Sequence, residues 1–340
     1  MNNEPAKRQS GKTALITGIT GQDGSYLAEF LLGIGYCVHG IVRRSSQVST
    51  IFIDHLRADD AYRDRFSLHH GDMADGSRVT AIVDLVQPDE IYHLAAQSDV
   101  GRSFEEPVYT GDVAGLGAMR LLEAVRTTRP EARVYQASSS EMFGSAPPPQ
   151  RENTPFLPQS PYAAAKVYAY WMTRCYRQGY GLFVSNGISF NHESPRRGHD
   201  FVTRKIAVAA ARIACGQQQQ LLLGNLESRR DWGYAPEYVE AMWRILQRDE
   251  PGDYVLATGV SRSVRDFLTF CFEQVGLDWR RHVREDSRLL RPTDVSELVG
   301  DASKAEQELG WRPTVLAPEL AKIMTDAEIE RLEAIPATRA

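Results

Sequence analysis

Thr13-Ala14-Leu15-Ile16-Thr17-Gly18-Ile19-Thr20-Gly21-Gln22-Asp23-Gly24-Ser25 is the stretch that decides the fold. Its first five residues read as a buried strand over 13–17, and the residues after the glycines read as a helix over 25–32, ended by Gly33 and Gly35. The three glycines stand at a G-x-x-G-x-x-G spacing. Glycine permits a tight strand-to-helix turn and lets backbone amides approach a pyrophosphate, which then sits at the helix N-terminus. The spacing alone is a weak signal; its place between strand and helix makes it a dinucleotide signature. Gly18, Thr20, Gly21, Gln22, Asp23 and Gly24 are therefore candidate cofactor contacts. Ser10-Gly11-Lys12-Thr13 imitates the end of a P-loop, but Ala6 occupies the first glycine position and a strand follows.

Outward from this stretch, strand-like segments recur at 37–42, 66–69, 90–94, 134–138 and 183–190. Helical patterns lie between them at 77–85, 115–127 and 162–177. The alternation predicts an α/β fold, a Rossmann-type doubly wound parallel sheet with helices on both faces. Beyond Asn191 the pattern is irregular, with helices near 203–215 and 264–275. The expected division is a cofactor-binding domain over 12–190, rejoined by the chain around 233–262, and a smaller, mixed C-terminal substrate domain over 191–331.

The 340 residues are 42% hydrophobic and 24% charged, enough for one large or two modest domains with a real core. With 39 Lys+Arg against 44 Asp+Glu, the formal charge of -5 provides no global basic field, so nucleic acid is not an expected partner. Cys37, Cys175, Cys215 and Cys271 are far apart and form no C-x-x-C, which argues against a zinc site or a disulfide framework. Residues 1–10 are polar, and no apolar run approaches the roughly 20 residues that span a bilayer. A cytoplasmic protein with no membrane partner and no metal is expected.

The second strand ends Gly40-Ile41-Val42-Arg43-Arg44-Ser45-Ser46. Arg43, Arg44, Ser45 and Ser46 stand where an NAD-preferring fold places a carboxylate, and they suit a 2′-phosphate, so NADP is the expected cofactor. Asp72 and Met73 follow the third strand, where a carboxylate can accept from the adenine amine. Leu94, Ala96 and Ser98 follow the fourth, where small residues let the backbone lie along the cofactor. Ser160-Pro161 opens a helix well, and Tyr162 and Lys166 then share one helical face at i and i+4. A free phenol, with a pKa near 10, is a poor base at neutral pH; a nearby ammonium favours phenolate. Ala137-Ser138-Ser139-Ser140-Glu141 leaves the fifth strand where a hydroxyl partner for such a tyrosine is expected.

With these residues in place the chain resembles the extended short-chain dehydrogenase/reductase superfamily and, within it, the GDP-mannose 4,6-dehydratases. The similarity runs over roughly 12–331 and is most specific in Phe190-Asn191-His192-Glu193-Ser194-Pro195-Arg196-Arg197-Gly198, Phe201-Val202-Thr203-Arg204-Lys205 and Arg230-Asp231-Trp232-Gly233. The resemblance implies that Ser139 takes the position of a catalytic Thr, that Glu141 is an acid/base, and that Tyr162 and Lys166 form the redox pair. It implies cofactor contacts for Tyr109, His192 and Arg197 besides Tyr162 and Lys166. Ser98, Asn191, Val202, Lys205, Gly224, Arg230, Arg291 and Asp294 would join Ser139, Glu141 and Tyr162 in holding a GDP-sugar. Glu141 separates this chemistry from epimerases and reductases, which need no group to remove a proton from C5. Ser139 for Thr and Asp294 for the family's usual Glu are departures. The same reaction on a GDP-manno-heptose in a surface-polysaccharide pathway, an epimerase or reductase, and a catalytically silent NADP-binding regulator are the alternatives. Relatives of this kind assemble as dimers or tetramers, so a homo-oligomer is expected.

Overall fold

A computed structural model describes residues 11–44 and 49–334; Ser45 and Ser46, and the chain ends at 1–10 and 335–340, lie outside the described residues. Strands β1 (Thr13–Thr17), β2 (Cys37–Val42), β3 (Phe66–His70), β4 (Glu90–His93), β5 (Arg133–Ser139) and β6 (Val184–Ser189) come first in the chain. They are followed by β7 (Asn191–Glu193), β8 (Leu221–Leu223), β9 (Arg229–Tyr234) and β10 (Asp253–Leu256). β10 returns to the edge of β6, giving a seven-stranded sheet in the order β10-β6-β5-β4-β1-β2-β3, parallel throughout. Ala14, Leu15 and Ile16 in β1 are fully buried, as are Ile91 and Tyr92 in β4, because helices cover both faces.

The strand order reverses between β1 and β4, so the C-terminal ends of these two strands open the crevice where such sheets bind ligands. The smaller layer contains β7, β9, β11 (Ser261–Ser263) and β13 (Glu297–Leu298), with β12 (Val283–Glu285) paired to β8. Its own core gathers Ile206, Ala210, Trp232, Phe267, Phe272, Leu320 and Met324.

The helix expected over 25–32 begins earlier and spans Gln22–Gly33, because Gly21 is extended and serves as N-cap while Gly33 stays helical. The fourth strand stops at His93 rather than at 94, since the Leu94 amide turns to the carbonyl and hydroxyl oxygens of Thr17. The region beyond Asn191 is more regular than its pattern suggests. It holds the helices Ala235–Leu246 and Ala317–Glu333, each with a proline in the first turn. Among the described residues no helix is long and apolar enough to cross a membrane.

Candidate active site

At the β1 turn Gly18 has φ +73, and a Cβ there would meet the Ala95 nitrogen at 2.9 Å. A Cβ on Gly24 would lie 2.4 Å from the Gly18 carbonyl oxygen and 2.6 Å from the Ile19 Cα, so only glycine allows this approach. Gly21 caps the helix without a side chain, which leaves first-turn amides to a ligand. A cradle of this shape fits the pyrophosphate of a dinucleotide.

Thr17 supports the cradle from beneath. Its hydroxyl accepts from the Leu94 and Ala95 amides at 3.1 Å each, so its own proton goes to His93 Nδ1 at 2.7 Å. Burial and the Lys166 charge push the His93 pKa down to about 3, so its ring is neutral. Neither Thr17 nor His93 stands out in the sequence; the only signal is polarity in strands otherwise apolar.

The first turn of the helix is bound to the β7 segment. His192 Nδ1 donates to the Phe190 carbonyl at 2.7 Å and Nε2 donates to the Asp23 carboxylate at 2.8 Å. Gln22 Nε2 donates to the His192 carbonyl at 3.0 Å, and the Ser194 hydroxyl donates to Gln22 Oε1 at 2.8 Å. Burial opposes charge on both Asp23 and His192, but their mutual attraction wins: Asp23 is held below its ordinary pKa and His192 above. With both ring nitrogens donating, His192 is an imidazolium, stacked on Tyr238 at 4.6 Å. Arg197 pairs with Glu193 at 3.0 Å and lies 3.6 Å over the Phe201 ring.

β5 ends at Ser139, whose hydroxyl accepts from the Glu141 amide at 3.2 Å and starts the short turn Ser140–Phe143. The helix Pro161–Tyr180 begins with the Ser160 hydroxyl accepting from the Ala163 amide at 3.1 Å. This start brings Tyr162 and Lys166, 8% and 4% exposed, under the end of β5. Lys166 Nζ donates to the Ala137 carbonyl at 2.8 Å and lies 5.8 Å from the Tyr162 ring centre. Burial pushes Tyr162 up to about 12 against a hydrogen bond with Ser139, and the Glu141 charge adds to the rise. Burial pushes Lys166 down to about 8, opposed by the charge of Asp23. A hydroxyl, a carboxylate, a phenol and a poised ammonium thus gather at the end of β5, a set suited to moving protons at adjacent carbons.

Glu141 also faces β9. Arg230 Nε lies 3.8 Å from Glu141 Oε1, and Arg230 Nη2 lies 3.4 Å from Asp294 Oδ1. Arg291 Nη1 stands 4.0 Å from the same Asp294 oxygen. The remaining candidates are spread more widely. Asn191 lies in β7, paired with Trp232. Val202 and Lys205 are in the first turn of the helix Val202–Ala214, with Lys205 exposed. Gly224 sits under Leu289, whose carbonyl oxygen a Cβ would meet at 2.9 Å. Arg43 donates to the Tyr109 hydroxyl at 2.5 Å, and Asp72 accepts from the Ala74 amide. The Met73 side chain is buried in the core, whereas Ser98 is exposed.

The sequence model of the GDP-mannose 4,6 dehydratase family matches residues 15–324. The chain is 54% identical over 325 residues to GDP-mannose 4,6 dehydratase 1 of Arabidopsis thaliana, covering 94% of this chain and 90% of that protein. The chain belongs to this family. GDP-mannose 4,6-dehydratase of Sinorhizobium fredii is 51% identical, over 94% of this chain and 97% of its own length. Among solved structures, DesIV, a dTDP-glucose 4,6-dehydratase from Streptomyces venezuelae with NAD bound, superposes with a TM-score of 0.83 over 95% of this chain and 98% of its own. At 24% identity it shows the shared fold. Family membership makes the protein a nucleotide-sugar 4,6-dehydratase, a hydro-lyase.

Proposed function

We propose that the protein converts GDP-mannose to GDP-4-keto-6-deoxymannose with the cofactor NADP, using Ser139, Glu141, Tyr162 and Lys166. The observation that carries this reading is a partly buried carboxylate, Glu141, added to a hydroxyl–tyrosine–lysine set and near enough for its charge to act on Tyr162. The family relatives carry GDP-mannose in their names, so the heptose alternative is not favoured.

A nicotinamide dinucleotide held by the glycine turn at Gly18, Gly21 and Gly24 would supply a hydride acceptor for C4 of the sugar and a hydride donor for C6. Tyr162 takes the proton of the C4 hydroxyl, with Ser139 sharing a hydrogen bond that opposes the rise burial imposes on its phenol and with the Lys166 ammonium, 5.8 Å from its ring centre, as the cation that can favour phenolate. The C4 ketone acidifies the C5 hydrogen; Glu141 removes that proton and passes it to the C6 hydroxyl, which leaves as water. C5 then regains a proton from Glu141, recharged by the proton that Tyr162 took from the C4 hydroxyl, and both side chains return to their starting states. His192 has both ring nitrogens engaged, so it serves the cofactor site through its charge and through the Asp23 contact.

Arg43 and Arg44 after β2 support NADP over NAD. Asn191, Arg230, Arg291, Asp294 and the first turn of Val202–Ala214 are the expected nucleotide-sugar contacts, and 191–331 the substrate domain. Val108, Leu116, Tyr168 and Trp171 expose 85%, 39%, 39% and 52% of their surface on neighbouring helices, which supports association with a second copy. Four unpaired cysteines support a reducing, cytoplasmic location.

Incubation with GDP-mannose and identification of the product by NMR tests the activity. Glu141→Gln should oxidise C4 slowly without losing water; a normal 4-keto-6-deoxy product from that variant would remove Glu141 from its role.

A further inference from the structure

Arg230 is buried to 7% exposure and fixed on several sides. Its Nη1 donates to the carbonyls of Arg229 at 2.9 Å and Val295 at 2.8 Å, and its Nη2 lies 3.4 Å from Asp294 Oδ1. Asp294 Oδ2 is itself gripped by the Ser228 hydroxyl at 2.6 Å and by Asn225 Nδ2 at 3.4 Å. The guanidinium is therefore set by two backbone carbonyls and an anchored carboxylate before any ligand arrives. Its one remaining edge, at Nε, faces Glu141 Oε1 at 3.8 Å.

Glu141 is held at its backbone by Ser139, but that cap leaves the side-chain torsions free. Its carboxylate and the Arg230 side chain are 12% and 8% exposed, so little water screens the attraction between them. A planar fork tied to two carbonyls cannot swing as a lysine ammonium does, which suits it to fixing a carboxylate in direction.

We propose that Arg230, held in place by Asp294, orients the Glu141 carboxylate for proton removal at C5. Asp294 is then a positioning residue for the elimination step, in addition to any contact it makes with the nucleotide. The inference rests on the dehydratase reading given above. It explains why a carboxylate stands at 294, next to two arginines and behind the base: it locks the cation whose other edge aims that base.

The test uses the 4-keto-6-deoxy nucleotide sugar dissolved in D2O with the full-length enzyme. Its C5 hydrogen is adjacent to the ketone, so a positioned base exchanges it without any redox step: the C5 proton passes to the carboxylate and a deuteron returns. Proton NMR follows the loss of the C5 signal. At saturating nucleotide sugar, Asp294→Asn should slow exchange about tenfold, as expected for a misaimed base, with Asp294→Glu recovering most of the rate. Arg230→Lys should slow it as well, with thermal melting used to match each variant to the wild type. Saturated exchange equal to wild type in Asp294→Asn, with only the half-saturating concentration raised, overturns the inference and leaves Asp294 a binding residue. Failure of the wild type both to exchange C5 and to convert GDP-mannose overturns the dehydratase reading, and the inference falls with it.

Discussion

Asp23 and His192, 169 residues apart in the chain, meet at 2.8 Å. This contact joins the first turn of the cofactor helix to the strand that carries Asn191, so the two halves of the crevice are held in register by a charged pair.

The contact should show in the pH dependence of stability. His192 is raised above its ordinary pKa, so its contribution is complete below about 6.5 and is lost as pH rises through the raised value. Asp23 is lowered, so its contribution is complete above the ordinary value of 3.8 and is lost as pH falls through the lowered one. Asp23→Asn should therefore cost most between about pH 4 and 6.5, on the order of 1.5–3 kcal/mol, with a smaller penalty at pH 9. Thermal melts of both proteins across this range check it.

Lys166 shows the opposite sign. Its ammonium is buried against a carbonyl and its pKa is pushed down to about 8, so the protonated form is a burden on the folded state. Lys166→Met should raise stability at pH 7 by about 1 kcal/mol while lowering turnover at least about 100-fold. As pH rises from about 8 to 10.5 the folded wild type is relieved, and the stability gap should close.

Two glycines in one helix should respond in opposite directions. Gly24→Ala drives a Cβ into the Gly18 carbonyl and should cost about 2–4 kcal/mol together with dinucleotide binding. Gly33→Ala meets nothing within 4 Å and should stabilise by about 0.5–1 kcal/mol. Denaturant unfolding and calorimetric titration with NADP separate the two.

Tyr109 accepts a hydrogen bond from Arg43 at 2.5 Å and so fixes the arginine that the 2′-phosphate is expected to meet. Tyr109→Phe should weaken NADP by about two- to tenfold and leave NAD affinity nearly unchanged. Equal losses for both cofactors would separate this hydroxyl from phosphate selection.

Arg204, on the helix that presents Val202 and Lys205, is buried against Glu328 of the C-terminal helix, and Arg331 meets the same carboxylate at 2.7 Å. Glu328→Gln leaves a buried guanidinium without its counter-charge and should cost about 3–5 kcal/mol. Chemical denaturation is the direct measurement.

The legible parts of this protein were those written in short-range chemistry. The glycine turn, the Ser160-Pro161 helix start and the Tyr162/Lys166 spacing each depend on neighbours within a few residues, and the structure shows the corresponding local geometry. The helix Ala317–Glu333 is harder to read, because its buried stripe of Ala317, Leu320, Ala321 and Met324 gives way in its second half to Thr325 and the charged Glu328. Its burial becomes intelligible only once Arg204 is seen to supply the partner for Glu328.

By itself, then, the sequence determined a parallel Rossmann sheet, a dinucleotide turn and the Tyr162/Lys166 pair on one helical face, since strand–helix alternation and i, i+4 spacing are local periodicities; the roles expected of Ser139 and Glu141 are what the family resemblance implies. Only the tertiary structure decided what those groups feel. It buried Tyr162 and Lys166, charged His192 through Asp23, neutralised His93 beneath the turn, and set Arg230 between Glu141 and Asp294. Such effects come from burial and from charges on strands far apart in the chain, and no local pattern records those distances.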